Sequence, residues 1–183
     1  NGADVKRFTQ TYTAQELQAL RESFGFQEHA TIVVTSSRLV VKNDVESVIK
    51  ALPLLPEDVC FVVCGAGELE EHLKEITKEC HVEKRVRFLG NRSHDELPKI
   101  LHASDIFIRP SITEGLGCSF LESMAAGLPT IGTRVGGIPD FLEDGKTGFF
   151  CEVQNPQSIA DTIVRIQHLS AEEKNHIHNN AME

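Results

Sequence analysis

Two carboxylates and an anion-attracting turn share one stretch of this 183-residue chain: Arg109-Pro-Ser-Ile-Thr-Glu114-Gly-Leu-Gly-Cys-Ser-Phe-Leu-Glu122-Ser-Met-Ala-Ala-Gly-Leu-Pro129. Gly115 and Gly117 flank Leu116 just where a helix is expected over Ser119 to Ala126, so free N–H groups around Gly117, Cys118 and Ser119 and the positive end of the helix dipole favour an anion. A carboxylate beside such a site repels phosphate, but it accepts hydrogen bonds from hydroxyls. At about 100° per residue, Leu121, Ala125 and Leu128 share one helix face, and Ser119, Glu122, Ser123 and Ala126 share another. Glu122 is therefore expected to turn away from the core. The small side chains of Gly115, Gly117, Ser119, Ser123 and Ala126 are expected to leave room for a ligand beside both carboxylates. Hydroxyls at both ends and phosphates in the middle describe a nucleotide sugar.

Three other loops could join this one. Ser36-Ser-Arg38-Leu-Val-Val-Lys42 follows an apolar run and places two cations four residues apart. They read either as solvated surface charge or as the fork and point charge that a diphosphate requires. Gly65-Ala-Gly67 lies between a strand and a helix, but Glu70 stands where a dinucleotide fingerprint needs its third Gly, so a tight turn explains it almost as well. Gly90-Asn-Arg92 could offer backbone groups to a base. Arg109, directly before Pro110, either touches the ligand or solvates its loop.

The elements that must position these loops alternate along the chain. Apolar runs at Thr31 to Thr35, Val59 to Cys64, Val86 to Leu89, Asp105 to Ile108, Leu128 to Ile131 and Thr147 to Phe150 read as strands. Helical spacing follows at Val45 to Leu54, at Leu69, Leu73 and Ile76, at Asp95 to His102 with Ser93 as N-cap, and after Pro156. Continuous apolar strands separated by amphipathic helices predict an α/β fold, a Rossmann-like, doubly wound parallel sheet with its ligand at the carboxyl ends of the strands.

The composition fits one domain with its own core: 40% hydrophobic residues and 13 Gly, with no apolar run near the roughly 18 residues of a membrane span. Eighteen Lys and Arg face 27 Asp and Glu, a net charge of −9 that disfavours a nucleic-acid partner but permits a local cationic exception. Cys60, Cys64, Cys80, Cys118 and Cys151 are odd in number and contain no C-x-x-C pair, so reduced thiols in a cytoplasmic protein are expected, and Cys118 has no His base nearby in sequence. His176-Ile-His178 reads as part of a solvated terminal helix, and no metal site is expected. The abrupt ends suggest a piece of a longer protein, with residues 1–12 the end of a linker and 13–183 the domain.

At these residues the sequence resembles the donor-binding, C-terminal half of the retaining GT-B glycosyltransferases, most closely their family 4. Asn1-Gly-Ala-Asp4 with Phe8 is similar to the N-G-V-D-x-x-x-F segment where the second domain begins, Ser37-Arg-Leu-Val-Val-Lys42 to R-L-V-x-x-K-G, and Gly65-Ala-Gly67-Glu68 with Leu73 to G-x-G-x-x-x-x-x-L. Glu114 and Glu122 match E-x7-E. Gly136-Gly-Ile-Pro-Asp140 and Asp144-Gly-Lys-Thr-Gly148 match the closing G-G-x-x-E and D-G-x-x-G. Lys42 stands one position closer to Arg38 than in many members, Asn43 replaces a Gly, Asp140 a commoner Glu and Ser123 a commoner Ala.

The resemblance implies that Arg38 and Lys42 hold the diphosphate, that Glu114 meets the donor sugar and Glu122 the ribose, and that Gly65, Gly67, Gly90 and the stretch Gly115, Leu116, Gly117, Cys118 and Ser119 line the donor. It implies retention of configuration without a cofactor or metal. It also implies a nucleotide-sugar donor, and a saccharide or lipid-linked acceptor bound through a first domain that could attach peripherally to the inner membrane. A lone donor domain is expected to bind and not to transfer. The rivals are a nucleotide-sugar-binding module and a GT-B epimerase or phosphorylase. A glycosidase needs opposed carboxyls, which a single loop–helix unit does not offer, and a dehydrogenase needs the full glycine fingerprint.

Overall fold

The central apolar runs become strands because they are buried on both faces, while the edge strands are only partly covered. A computed structural model describes residues 4–183; Asn1, Gly2 and Ala3 of the opening Asn-Gly-Ala-Asp segment lie outside the described residues. In chain order the elements are α1 (Val5–Phe8), α2 (Ala14–Ser23), β1 (Thr31–Ser36), α3 (Val45–Ala51), β2 (Val59–Cys64), α4 (Glu70–Glu79), β3 (Val86–Gly90), α5 (Glu96–His102), β4 (Ile106–Ile108), α6 (Cys118–Ala125), β5 (Thr130–Gly132), β6 (Phe149–Phe150), α7 (Pro156–Gln167) and α8 (Ala171–Ala181). Among the described residues six strands form one parallel sheet in the order β3-β2-β1-β4-β5-β6. This is the predicted doubly wound α/β fold.

The pleat sorts side chains into two cores. Val33, Phe61 and Val63 point to one face and pack with Ile49 and Leu52 near α3, Leu73 of α4, and Ile159, Ile163 and Ile166 of α7. Ile32, Val34, Val62 and Phe107 point to the other, against Phe8, Leu97, Leu101, Phe120 and Met124. Burying one such aromatic or aliphatic side chain contributes about 1.5–3 kcal/mol. Cys64 shares the second core with Val62, and Cys60, also buried, is in the same strand phase.

Helix ends follow local chemistry. Asn155 accepts a hydrogen bond from Ser158 N at 3.0 Å ahead of Pro156, and Ser170 and Glu173 form a reciprocal box at the start of α8. Ser93 exchanges hydrogen bonds with Glu96 (Glu96 N to Ser93 Oγ 3.2 Å, Ser93 N to the Glu96 carboxylate 2.9 Å), although the first regular turn begins only at Glu96. The stretch before residue 12 contains α1, which packs on α6 and inserts Phe8 into the second core. No described helix is long and apolar enough to cross a membrane.

The sheet order reverses between β1 and β4. From β1 the chain runs to β2 on one side, and from β4 to β5 on the other, so the loops leaving the carboxyl ends of these two neighbours open a crevice between them. These are the loops that carry Arg38 with Lys42 and Glu114, the last leading into α6 and Glu122.

Candidate functional site

The loop after β1 is folded against the loop after β2 by backbone contact. Leu39, fully buried, donates its N–H to Ala66 O at 3.0 Å and accepts from Leu69 N at 3.1 Å, and Ser37 N bonds Cys64 O at 3.0 Å. This approach leaves no space for side chains opposite. A Cβ on Gly65, whose φ is +145°, would lie 1.8 Å from Ser37 O, and one on Gly67 2.4 Å from Leu39 O. The two glycines thereby support the segment that bears Arg38. Arg38 and Lys42 themselves are exposed, and among the described residues neither forms an ion pair.

Opposite, the loop after β4 is built around Arg109. Its backbone N–H bonds Ile131 O at 3.1 Å, extending the sheet contact past Ile108. Its guanidinium, with the side chain only 12% exposed, donates to the Glu114 carboxylate at 2.7 Å, to Ser119 Oγ at 2.8 Å and to Asn43 Oδ1 at 3.1 Å. The Glu114 side chain is 6% exposed; its carboxylate also accepts from Gly115 N at 3.0 Å and Ser111 Oγ at 3.3 Å. Asn43 in turn donates to Arg38 O at 2.7 Å, and Ile112 N donates to Lys42 O at 2.7 Å. These contacts tie the two sides of the crevice together. Burial pushes the Arg109 pKa below its ordinary value, while Glu114, Cys118 and Glu122 pull it back up.

The Glu114 segment is clamped from a third side. Gly136, with φ +53°, would place a Cβ 1.7 Å from Glu114 O, and Gly137 N approaches Gly115 O at 3.3 Å. The closing glycine pair therefore lays the loop after β5 directly on the Glu114–Gly115 backbone.

Helix α6 starts at Cys118, with Gly117 as its N-cap in the left-handed region and no side chain to satisfy the first N–H groups. Its inward face is the expected one at Ala125 and Leu128, which are buried, but not at Leu121. Phe120 and Met124 enter the core and Leu121 stays half-buried, because Phe120 fits between Phe107 and Phe141, with ring centroids 5.9 and 5.8 Å away. Ser123 is also fully buried, bonded to Phe120 O at 2.8 Å and Thr130 Oγ1 at 2.9 Å, so it leaves no room for a ligand. Glu122 is half-buried, as its outward orientation predicts. Burial pushes its pKa up, opposed by His94, on the loop after β3, and by Arg109. Gly90 opens that loop at φ +68°, accepts from Gly65 N at 2.8 Å, and has nothing within 4 Å of an added Cβ.

The crevice thus brings Arg38, Lys42, Glu114, Gly115, Leu116 and Gly117 onto the paired loops of β1 and β4 and Cys118, Ser119 and Glu122 onto the α6 helix that follows, with Gly65, Gly67 and Gly90 on the flank. Sequence reasoning left Arg109 open between ligand and solvent; at 12% exposure it does not simply solvate its loop, and its Nε is buried without a partner among the described residues. Asn43 was missed; the one available signal was its place beside Lys42 on the loop after the first strand. Among the described residues no group of three or more His, Cys, Asp or Glu side chains is arranged to hold a metal.

Comparison with known proteins places this crevice in context. The model of the family described as "Glycosyl transferases group 1" matches residues 17–183. The chain is 32% identical over 157 residues to the N-acetyl-alpha-D-glucosaminyl L-malate synthase of Bacillus anthracis, covering 85% of this chain and 41% of that protein. It is 31% identical over 176 residues to a GDP-mannose-dependent monoacylated alpha-(1-6)-phosphatidylinositol monomannoside mannosyltransferase of Corynebacterium glutamicum, covering 91% and 45%. It thus spans less than half the length of these curated relatives. Among solved structures, Anabaena Alr3699/HepE in complex with UDP-glucose superposes with a TM-score of 0.89 at 26% identity, covering 99% of this chain and 50% of that one. The C-terminal domain of the group 1 family protein LpcC from Francisella tularensis superposes with a TM-score of 0.83 at 22% identity, covering 98% and 94%, a likeness of fold.

Proposed function

The chain belongs to the glycosyl transferases group 1 family, and from that premise we propose that it is the nucleotide-sugar donor-binding domain of a retaining, family 4 glycosyltransferase with the E-x7-E motif at Glu114 and Glu122. The observation that carries the reading is the pair of exposed cations, Arg38 and Lys42, on the loop after β1, whose backbone is bonded at Lys42 O to Ile112 N of the loop that leads into the uncapped start of α6. Cations at a strand's carboxyl end beside a helix start with free N–H groups favour an anionic ligand.

In this reading the diphosphate lies between Arg38, Lys42 and the N–H groups at Gly117 to Ser119. Glu122 accepts hydrogen bonds from the ribose hydroxyls and Glu114 from the sugar. As the bond from the anomeric carbon to the diphosphate breaks, negative charge grows on the departing phosphate oxygens, and preorganised cations and helix-terminal donors stabilise that charge more than the ground state. We assign this work to the protein groups, without a metal. Gly65, Gly67 and Gly136 act by allowing the loops to touch. The acceptor, a saccharide or lipid-linked glycan, binds outside this chain, in a cytoplasmic enzyme that reaches the membrane surface peripherally through its other domain. The isolated chain binds donor and transfers nothing.

The test is calorimetry of UDP, GDP and ADP and their sugars against this chain. Binding of one nucleoside diphosphate that is lost in Glu122→Ala supports the reading; no binding at millimolar ligand, or sugar transfer by the chain alone, overturns it. Product analysis on the full-length enzyme separates transfer from epimerisation or phosphorolysis on the same scaffold.

A further inference from the structure

Three other arginines, Arg21, Arg85 and Arg87, staple the chain mainly through backbone carbonyls, and Arg21 and Arg165 each pair with a single carboxylate, Asp105 and Asp144. Arg21 donates to Ala103 O at 2.8 Å and Ala30 O at 2.6 Å, Arg85 to Val59 O at 3.0 Å, and Arg87 to Phe24 O at 2.7 Å. Arg109 is different. Its guanidinium bonds go to three side chains, Glu114, Ser119 and Asn43, and each of these sits on a segment of the crevice: the Glu114 loop, the first turn of α6 and the loop of Arg38. A staple would not need this choice of partners.

The geometry around Glu114 shows what the choice achieves. A carboxylate offers about four lone-pair sites. Oε2 accepts from Arg109 and from Ser111 Oγ, and Oε1 accepts from Gly115 N, so a single site on Oε1 is left for an incoming hydroxyl. With both oxygens engaged the carboxylate cannot turn, and the remaining lone pair has one direction. The same guanidinium reaches Asn43 Oδ1, and the Asn43 amide donates to Arg38 O, so the backbone of the first exposed cation and the carboxylate of Glu114 are joined through two intermediate side chains.

We propose that Arg109 is a positioning residue for sugar recognition, holding the one free acceptor site of Glu114 in register with the diphosphate-facing cations of the β1 loop. The inference rests on the donor-binding reading. Arg109 itself does not touch the donor. Its effect appears as discrimination: the chain binds a nucleoside-diphosphate sugar more tightly than the bare nucleoside diphosphate, and Arg109 maintains that preference.

Calorimetry with UDP against UDP-glucose, and GDP against GDP-mannose, tests this in the unsubstituted chain and in Arg109→Met, Arg109→Lys and Glu114→Gln. In Arg109→Met the preference for the sugar form is expected to fall by about tenfold, the worth of one hydrogen bond to a charged group, with the affinity for the bare diphosphate changed by less than about threefold. Arg109→Lys keeps the charge without the fork, so it restores only part of the preference; it also carries the test if Arg109→Met does not fold. Glu114→Gln is expected to lose the same preference, and combining it with Arg109→Met to lose little more, because the two act on one contact. Equal weakening of both ligands, an unchanged preference, or no preference in the unsubstituted chain overturns the role of Arg109 while diphosphate binding persists. If no nucleotide binds at all, the donor-binding reading falls, and this inference falls with it.

Discussion

The loops after β1 and β4 both present a cation at the mouth of the same crevice, and they treat it in opposite ways. Arg38 and Lys42 extend into solvent without ion-pair partners among the described residues, whereas Arg109 is withdrawn into a cage of Glu114, Ser119 and Asn43. The difference separates two uses of positive charge. The buried guanidinium has exchanged water for fixed protein partners at both terminal nitrogens, with Nε left without one, so it contributes geometry. An exposed one keeps its donors for whatever arrives. Cation content alone would have grouped all three residues together.

The sharpest way to break this comparison is to remove each charge and follow stability. Arg109→Met strands the Glu114 carboxylate in a buried site, and removal of one partner from such a pair costs about 3–5 kcal/mol. Arg38→Met removes no ion pair among the described residues and is expected to stay within about 0.5 kcal/mol. Urea unfolding followed by circular dichroism reads both. Similar midpoints for the two variants would erase the distinction between a structural and a ligand-facing cation.

Ligand binding should rank the same two residues the other way. Arg38→Ala is expected to weaken binding of a bare nucleoside diphosphate by roughly 10–100-fold, the range for charge-assisted hydrogen bonds, and to flatten its dependence on salt, while the urea midpoint stays in place. Arg109→Lys should change bare diphosphate binding by less than about threefold. If Arg38→Ala leaves diphosphate affinity intact, the exposed charge is ordinary solvated surface.

How far the sequence foretold these roles depended on whether the cause was local or tertiary. β2 was legible to the residue because Val59–Cys64 is buried along its whole length and reads as one apolar run. β6 shrank to Phe149–Phe150, since Gly148 packs its backbone beneath Leu142 and Thr130 O and forms only an isolated bridge with Asp144. α2 was missed: it buries no side chain, and its signal lay in its cap, where Thr13 and Glu16 form a reciprocal box. In α6 Ala125 and Leu128 were placed from spacing, but the fit of Phe120 between Phe107 and Phe141 widens the buried stripe and leaves Leu121 only half-buried. The site showed the same division. Glu122 was placed from helix geometry alone, but the role of Arg109 was hidden because Asn43 lies 66 residues away in the chain. No spacing rule reaches that far.

Glu122 gives the mildest test, between the exposed and the buried cation. Burial raises its pKa above the ordinary carboxylate value, with His94 and Arg109 acting in the opposite direction. A group shifted this way binds more protons in the folded chain than in the unfolded one between its two pKa values. Stability therefore falls as pH rises from the ordinary value through the raised one, and the loss persists above it. Glu122→Gln cannot ionise and escapes that loss. The variant is expected to melt at a higher temperature than the unsubstituted chain at about pH 7, with the gap closing as pH drops below the ordinary carboxylate value of about 4.3. Nucleotide binding should weaken in the same variant, because a neutral amide is a poorer acceptor for ribose hydroxyls. Gain of stability with loss of binding is the pattern of a residue kept for its ligand at a cost to the fold. A variant that instead melts lower at neutral pH would show that the Glu122 carboxylate supports the fold, and would move it to the same side of the comparison as Arg109.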